Sequence, residues 1–256
     1  MIIGVPKEIK LQEHRIGLTP ESVKALTDKN HKVLVENNGG FEAGFTNDDY
    51  LKAGAEIINT PEEIFKKADL IVKVKEPQMK EVKMIREGQI IYTYLHLAAA
   101  KELTLGLMKT KSICIAYETV TDDSGRLPLL APMSAVAGRM SVQAGAHALE
   151  KNQKGRGLLI GGAPGVEPAN VVILGGGVVG ENAAIIATGM RGNVFIVDKS
   201  KKRLEELHEQ FGDKIIPTES DKIDLKKLIS ECDLLVGGVL IPGAEAPKLV
   251  TKEMIK

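Results

Sequence analysis

The chain reads as an α/β protein of two consecutive units, each built on a mostly parallel sheet, and three observations predict this. Short apolar runs rich in branched residues recur along the sequence. Helix-start signatures fall between them: Thr19-Pro20-Glu21 and Thr60-Pro61-Glu62-Glu63 each offer a threonine cap, a proline at the first helical position and acids in the first turn. A glycine-rich strand-to-helix turn then opens a second round of the same alternation. Such alternation favours parallel sheets, because parallel neighbours need a crossover that a helix supplies.

After an N-terminal strand, residues 32–35, 70–74, 90–94 and 113–117 are strand-like by length and branching. A polar loop, Thr121-Asp122-Asp123-Ser124-Gly125-Arg126, precedes a helical pattern over 133–151 rich in Ala, Gly and Ser. Its small residues predict close packing on a neighbour and mark it as the connection between domains 1–130 and 131–256. Residues 154–168 are Gly/Pro-rich and loop-like. Strands of the second domain are expected near 171–174, 194–197, 214–216 and 233–236. A full dinucleotide-binding sheet has six, in the order 3-2-1-4-5-6. The sequence ends at Lys256, just after an expected helix start at Thr251-Lys252-Glu253-Met254, so the second Rossmann-like domain is expected to be C-terminally truncated, with a natural four-stranded minimal version as the alternative. That leaves 233–236 as an exposed apolar edge.

Lys+Arg and Asp+Glu balance at 34 each, so no global field draws the chain to nucleic acid or membrane. The opening Met1-Ile2-Ile3-Gly4-Val5-Pro6-Lys7-Glu8 lacks the basic and long apolar regions of a signal peptide. No apolar stretch reaches the ~18 residues of a membrane span. Cys114 and Cys232 lie in apolar contexts and read as free buried thiols, which suits a reducing cytoplasm. No Cys/His spacing suggests a metal site.

The most informative segment is Val171-Val172-Ile173-Leu174-Gly175-Gly176-Gly177-Val178-Val179-Gly180. Gly175 is expected to make the turn, Gly177 to let the backbone approach a pyrophosphate, and Gly180 to let the helix pack close on the strand. A second strand then delivers Asp198, about 20 residues past the glycines, where a carboxylate accepts both ribose hydroxyls of an adenosine. An acid there repels a 2′-phosphate, so NAD is favoured over NADP.

Three segments of the first half place ionisable groups beside apolar strands: Glu13-His14-Arg15, Lys73-Val74-Lys75-Glu76-Pro77 and Ile90-Ile91-Tyr92-Thr93-Tyr94-Leu95-His96. Alternation sends Lys73 and Lys75 to one face. Ligands of open α/β sheets bind beyond the carboxyl ends of the strands, which puts Lys75 and His96 where a small molecule sits. A guanidinium and an ammonium hold a small carboxylate, and an imidazole exchanges protons near neutral pH. Each of these also has an ordinary structural reading: a solvated lysine, a structural histidine, an arginine in a salt bridge. Glu76 reads as a turn support, and His31, His147 and His208 as structural.

Taken together, Ile3-Gly4-Val5-Pro6-Lys7-Glu8, Glu13-His14-Arg15-Ile16-Gly17-Leu18-Thr19-Pro20, Val72-Lys73-Val74-Lys75-Glu76-Pro77, Tyr94-Leu95-His96-Leu97-Ala98, Ala131-Pro132-Met133-Ser134, the glycine motif and Val239-Leu240-Ile241-Pro242-Gly243-Ala244 resemble the alanine dehydrogenase and transhydrogenase NAD-binding subunit family. The resemblance implies NAD-dependent, reversible oxidative deamination of L-alanine to pyruvate and ammonia. It implies that Arg15 and Lys75 bind the substrate carboxylate, with Lys75 also polarising the keto oxygen, and that His96 transfers protons. Ser134, Val178, Val179, Asp198, Arg203, Ser220, Val239 and Leu240 fall on NAD-contacting positions, and a cytoplasmic homo-oligomer, often a hexamer, is implied too. The family continues past Lys256 with a catalytic aspartate, further NAD contacts and a segment returning to the first domain. Two other readings stay open: a non-catalytic NAD-binding or subunit-interaction remnant, and the NAD-binding subunit of proton-translocating transhydrogenase. The latter has no need of Lys75-Glu76-Pro77 or His96, since its hydride passes between two nucleotides.

Overall fold

In the computed structural model, residues 1–241 and 246–255 are described, and the chain divides into two compact units, Met1–Gly125 and Arg126–Lys256. The first alternates strand and helix: β1 (Ile2–Val5), α1 (Pro20–Thr27), β2 (Lys32–Glu36), α2 (Asn47–Lys52), β3 (Glu56–Ile58), α3 (Pro61–Lys67), β4 (Leu70–Val72), α4 (Met79–Val82), β5 (Ile90–Thr93), α5 (Lys101–Thr110) and β6 (Ile113–Ala116). Thr19 and Thr60 cap α1 and α3 as their sequences predict, each hydroxyl accepting a first-turn N–H. The sheet order is β3-β2-β1-β4-β5-β6, with every pairing parallel. Apolar clusters cover it: Val5, Val23, Val33, Val35 and Tyr50 belong to one, Ile64, Phe65, Ile71, Ile91 and Leu107 to another.

β4 stops at Val72 rather than at residue 74, and the cause is a side chain. The Val74 N–H is taken at 2.6 Å by Oε1 of Glu8, which follows β1, so a carboxylate stands where a strand carbonyl would. The same carboxylate accepts from Lys73 Nζ at 3.0 Å, and Lys73 reaches Glu81 at 2.8 Å. All three side chains are sealed from water. Lys73 therefore does not share a ligand-facing surface with Lys75, which is half-buried. Two-residue alternation does not extend past the end of the strand.

The second unit runs α6 (Ala131–Ala148), β7 (Asn170–Leu174), α7 (Val178–Gly189), β8 (Asn193–Asp198), α8 (Lys201–Phe211), β9 (Ile215–Glu219), α9 (Leu225–Ser230) and β10 (Leu234–Gly237). Its parallel sheet has the order β10-β7-β8-β9. This is the 3-2-1-4 portion of the doubly wound order that the first unit completes. β10 is the outer strand in that order among the described residues, and its leucines are half-buried and Val236 buried, rather than the exposed apolar edge expected of residues 233–236. α6 lies wholly in this unit. It packs on α7 so tightly that a Cβ on Gly138 would meet the Val179 carbonyl oxygen at 2.2 Å, which is why the helix is rich in small residues.

Residues 252–255 form a turn closed by Met254 N–H on the Thr251 carbonyl at 3.1 Å, not the expected helix. Cys114 and Cys232 are free, as expected, but half-buried rather than buried. Among the described residues no helix is long and apolar enough to cross a membrane, and no cluster of His, Cys, Asp or Glu is arranged for a metal ion.

Candidate functional site

Two groups of predicted residues gather, each at the carboxyl edge of one sheet. In the first unit Arg15 lies between β1 and α1. Its Nε donates to Glu13 Oε1 at 2.8 Å and its Nη2 to Oε2 at 2.7 Å, a bidentate pair that leaves Nη1 outside the contact. Hydrogen bonds from Arg15 hold the Glu13 carboxyl down at about 2, and the guanidinium is stabilised in return. The charge of Lys75 also helps to depress Glu13, so Glu13, Arg15 and Lys75 share one neighbourhood. Lys75 is fixed through its backbone: its N–H lies 3.4 Å from Glu8, and its carbonyl accepts the Thr93 hydroxyl at 2.9 Å.

Past β5, the Tyr94 ring joins this group. Burial pushes its hydroxyl up, while Arg15 pulls it back. It meets Tyr117 edge-on at 4.9 Å and lies stacked with the His96 imidazole at 6.3 Å, with 19° between planes. The His96 backbone is left-handed, φ 51° and ψ 37°, and its side chain is exposed. Glu118, just after β6, accepts the N–H groups of both Leu95 and His96. Of the neighbouring candidates, His14 pairs with Glu42 and Glu76 with Lys10, which suits the turn-supporting reading of Glu76. Sequence reasoning missed Glu8 and Glu118, and it named Glu13 without giving it a role. Only Glu13, two residues from Arg15, left a local signal.

In the second unit the glycine motif forms the turn from β7 into α7. Gly175 has φ +97°, a conformation that side-chain-bearing residues rarely adopt, and its N–H donates to the Val197 carbonyl at 2.8 Å. A Cβ on Gly180 would lie 1.9 Å from the Gly175 oxygen, so helix and turn touch there. On Gly177 a Cβ would meet nothing within 4 Å, and Gly177 caps α7 without a side-chain acceptor for the first-turn N–H groups. An open approach to uncapped helix N–H groups is what a dinucleotide pyrophosphate requires. The residues present therefore fit that group.

Asp198 ends β8. Its Oδ2 accepts the Gly176 N–H at 2.7 Å and its Oδ1 the Ser200 N–H at 2.8 Å, so the protein fixes the acid against the glycine turn. Arg203 Nε donates to the Gly176 carbonyl at 2.7 Å, while its other nitrogens hold Glu181 and Glu206. The Ser220 N–H bonds the Asp198 carbonyl at 3.0 Å. Val178 and Leu240 are exposed, and Val179, Val239 and Ser134 half-buried. Ser134 lies in the first turn of α6, whose close contact at Gly138 is with Val179. Pro242, Gly243 and Ala244 of the last motif lie outside the described residues.

A family model described as "Alanine dehydrogenase/PNT, N-terminal domain" matches residues 4–137, and one described as "Alanine dehydrogenase/PNT, C-terminal domain" matches residues 141–256. Among curated proteins, an alanine dehydrogenase of Methanococcus maripaludis is 52% identical over 256 residues, an alignment covering all of this chain and 69% of that protein. A solved structure of an L-alanine dehydrogenase superposes with a TM-score of 0.88 at 47% identity, covering 100% of this chain and 70% of that one. A transhydrogenase from Sinorhizobium meliloti superposes with a TM-score of 0.80 at 24% identity, which shows a shared fold.

Proposed function

Because this chain belongs to the alanine dehydrogenase/PNT family, we propose that it binds NAD and carries out the reversible oxidative deamination of L-alanine to pyruvate and ammonia. The observation that supports this reading is that the paired strands β4 and β5 lead at their carboxyl ends to Lys75 and to the Tyr94–His96 stack, with the Glu13–Arg15 pair preceding α1. Arg15 and Lys75 supply the two positive charges that hold a small carboxylate, and Lys75 also polarises the keto oxygen of pyruvate. His96 exchanges protons with the substrate's nitrogen and with the water that replaces it.

Gly175, Gly177, Val178, Val179 and Gly180 would cradle the cofactor's pyrophosphate against the start of α7. Asp198 would take the ribose hydroxyls and, by charge, disfavour a 2′-phosphate. Ser134, Arg203, Ser220, Val239 and Leu240 would complete the cofactor contacts. When bound, NAD supplies the hydride acceptor, and that chemistry is the cofactor's own. The Lys75-Glu76-Pro77 segment and His96 favour this reading over nucleotide-to-nucleotide transhydrogenation, which needs neither. Unpaired thiols suit a cytoplasmic protein, and a homo-oligomer, a hexamer by family likeness, completes the proposal.

The test is NADH formation by the purified chain with NAD and L-alanine at alkaline pH, beside His96→Ala. Alanine-dependent turnover that the substitution abolishes is the expected result. NAD binding without turnover would instead support a non-catalytic nucleotide-binding role.

A further inference from the structure

We propose that Glu118 is a positioning residue for His96, clamping the strained backbone that presents the imidazole; this rests on the proton-transfer role given to His96 above. β5 ends at Thr93, Tyr94 and Leu95 are buried, and the chain reverses at His96 with φ 51° and ψ 37°. Left-handed backbone at a residue with a Cβ is uncommon, and it persists where the surroundings over-determine it.

Glu118 supplies that determination. Its Oε1 lies 2.7 Å from the His96 nitrogen and 3.1 Å from that of Leu95, with Oε2 at 3.2 Å from Leu95. Two successive N–H groups converging on one anion form a nest, the backbone concavity that elsewhere binds phosphates. Here the anion is built in. It comes from the single turn Tyr117–Thr119 that follows β6, the strand paired with β5. The same turn carries Tyr117, whose ring packs edge-on against Tyr94, the ring stacked with His96. One turn thus fixes the His96 backbone through a carboxylate and its ring through a two-aromatic relay. Both interactions point at a histidine whose side chain is otherwise exposed.

The arrangement distinguishes charge from shape. Oε1 alone reaches both N–H groups, so a glutamine amide oxygen in its place keeps the clamp. Alanine removes it, and aspartate, shorter by one methylene, weakens it. The experiment compares Glu118→Ala, Glu118→Gln, Glu118→Asp and His96→Ala in the full chain. Amide exchange at Leu95 and His96 is followed by NMR together with the His96 ring resonances, and steady-state alanine oxidation is measured alongside.

In Glu118→Ala, exchange at both amides should accelerate by at least ~10-fold. The His96 ring resonances should move, and kcat should fall by about 10–100-fold. KM for alanine should stay within ~3-fold because Arg15 and Lys75 are untouched. Glu118→Gln should recover most of each quantity, with Glu118→Asp between the two. Should the alanine variant fail to fold, the aspartate variant decides by the same readouts. Unchanged kcat in a chain that His96→Ala silences would overturn the proposal. So would parallel losses of kcat, alanine binding and melting temperature in the alanine and glutamine variants alike, which mark a merely structural role. A chain with no alanine turnover overturns the proposed function instead; the amide and ring signals then still decide whether Glu118 sets His96, unchanged signals counting against it.

Discussion

Arg15 pairs with a carboxylate two residues away and keeps half its side chain in water, whereas Lys73 is sealed between Glu8 and Glu81. The two pairs respond oppositely to pH. Glu13 titrates at about 2 in the folded chain against an ordinary value of 4.5. A depressed carboxyl contributes stability that is present above pH 4.5 and lost as pH falls toward 2. Glu13→Gln should therefore show a shallower loss of melting temperature than the parent across that window, and parallel curves would refute it. Burial instead raises Glu81, and Lys73 opposes that rise. Lys73→Met leaves two carboxylates without their cation and should cost ~3–5 kcal/mol in urea unfolding. The cost should grow with rising pH, since stability held by a protonated acid is lost as that acid ionises. A pH-independent cost would count against the buried pairing.

At the scale of elements, the proposed nucleotide contact and the packing of α7 fall on different glycines of one turn. Gly177→Ala adds a methyl to open space at φ −69°, an ordinary conformation. Stability should move by no more than ~0.5 kcal/mol, while NAD binding weakens by about tenfold. Gly180→Ala drives a methyl into the Gly175 carbonyl, and overpacking of that kind costs ~1–3 kcal/mol or more. Calorimetric titration beside thermal melts tests the pair, and equal effects on both quantities would sink the distinction. The apolar runs disclosed most strands because a parallel sheet buries both faces and needs continuous apolar sequence. β3 escaped, being three residues long at an edge. β9 outran its apolar run because Pro217, tolerated on an edge strand, still joins the ladder. Lys75, His96 and the glycines were named as candidates because motif and strand end coincide, whereas Arg15, ten residues past β1, was named on its motif alone. The carboxylates that hold them were not: Glu8 and Glu118 act across 67 and 22 residues, and no local pattern encodes such a distance.

For the molecule as a whole, each compact unit carries its own apolar clusters among the described residues, two in Met1–Gly125 and two in Arg126–Lys256. The proposed nucleotide contacts all belong to the second. NAD at 100 times its Kd adds about 2.7 kcal/mol to whatever unfolds with it. Scanning calorimetry should then show two transitions, of which NAD raises one; a single transition, or equal shifts in both, would contradict this. Charge balance matters at this scale too. With a sequence pI near 7.0, turbidity on concentration should peak near neutrality and fall on either side. A flat profile would count against charge-controlled association.

The Glu13–Arg15 pair has a consequence for selectivity against the ions of the cell. A bare guanidinium in a cleft collects chloride and phosphate, and each turnover would begin by evicting one. Here the resident anion is tethered two residues away, so its effective concentration far exceeds that of any free salt. Inorganic anions gain nothing by competing for the face it occupies. On the proposed reading, a carboxylate that also engaged Lys75 would gain more than they do. The arginine is thus kept occupied at rest by its own chain, and on the proposed reading admission would go to guests that bring more than a charge.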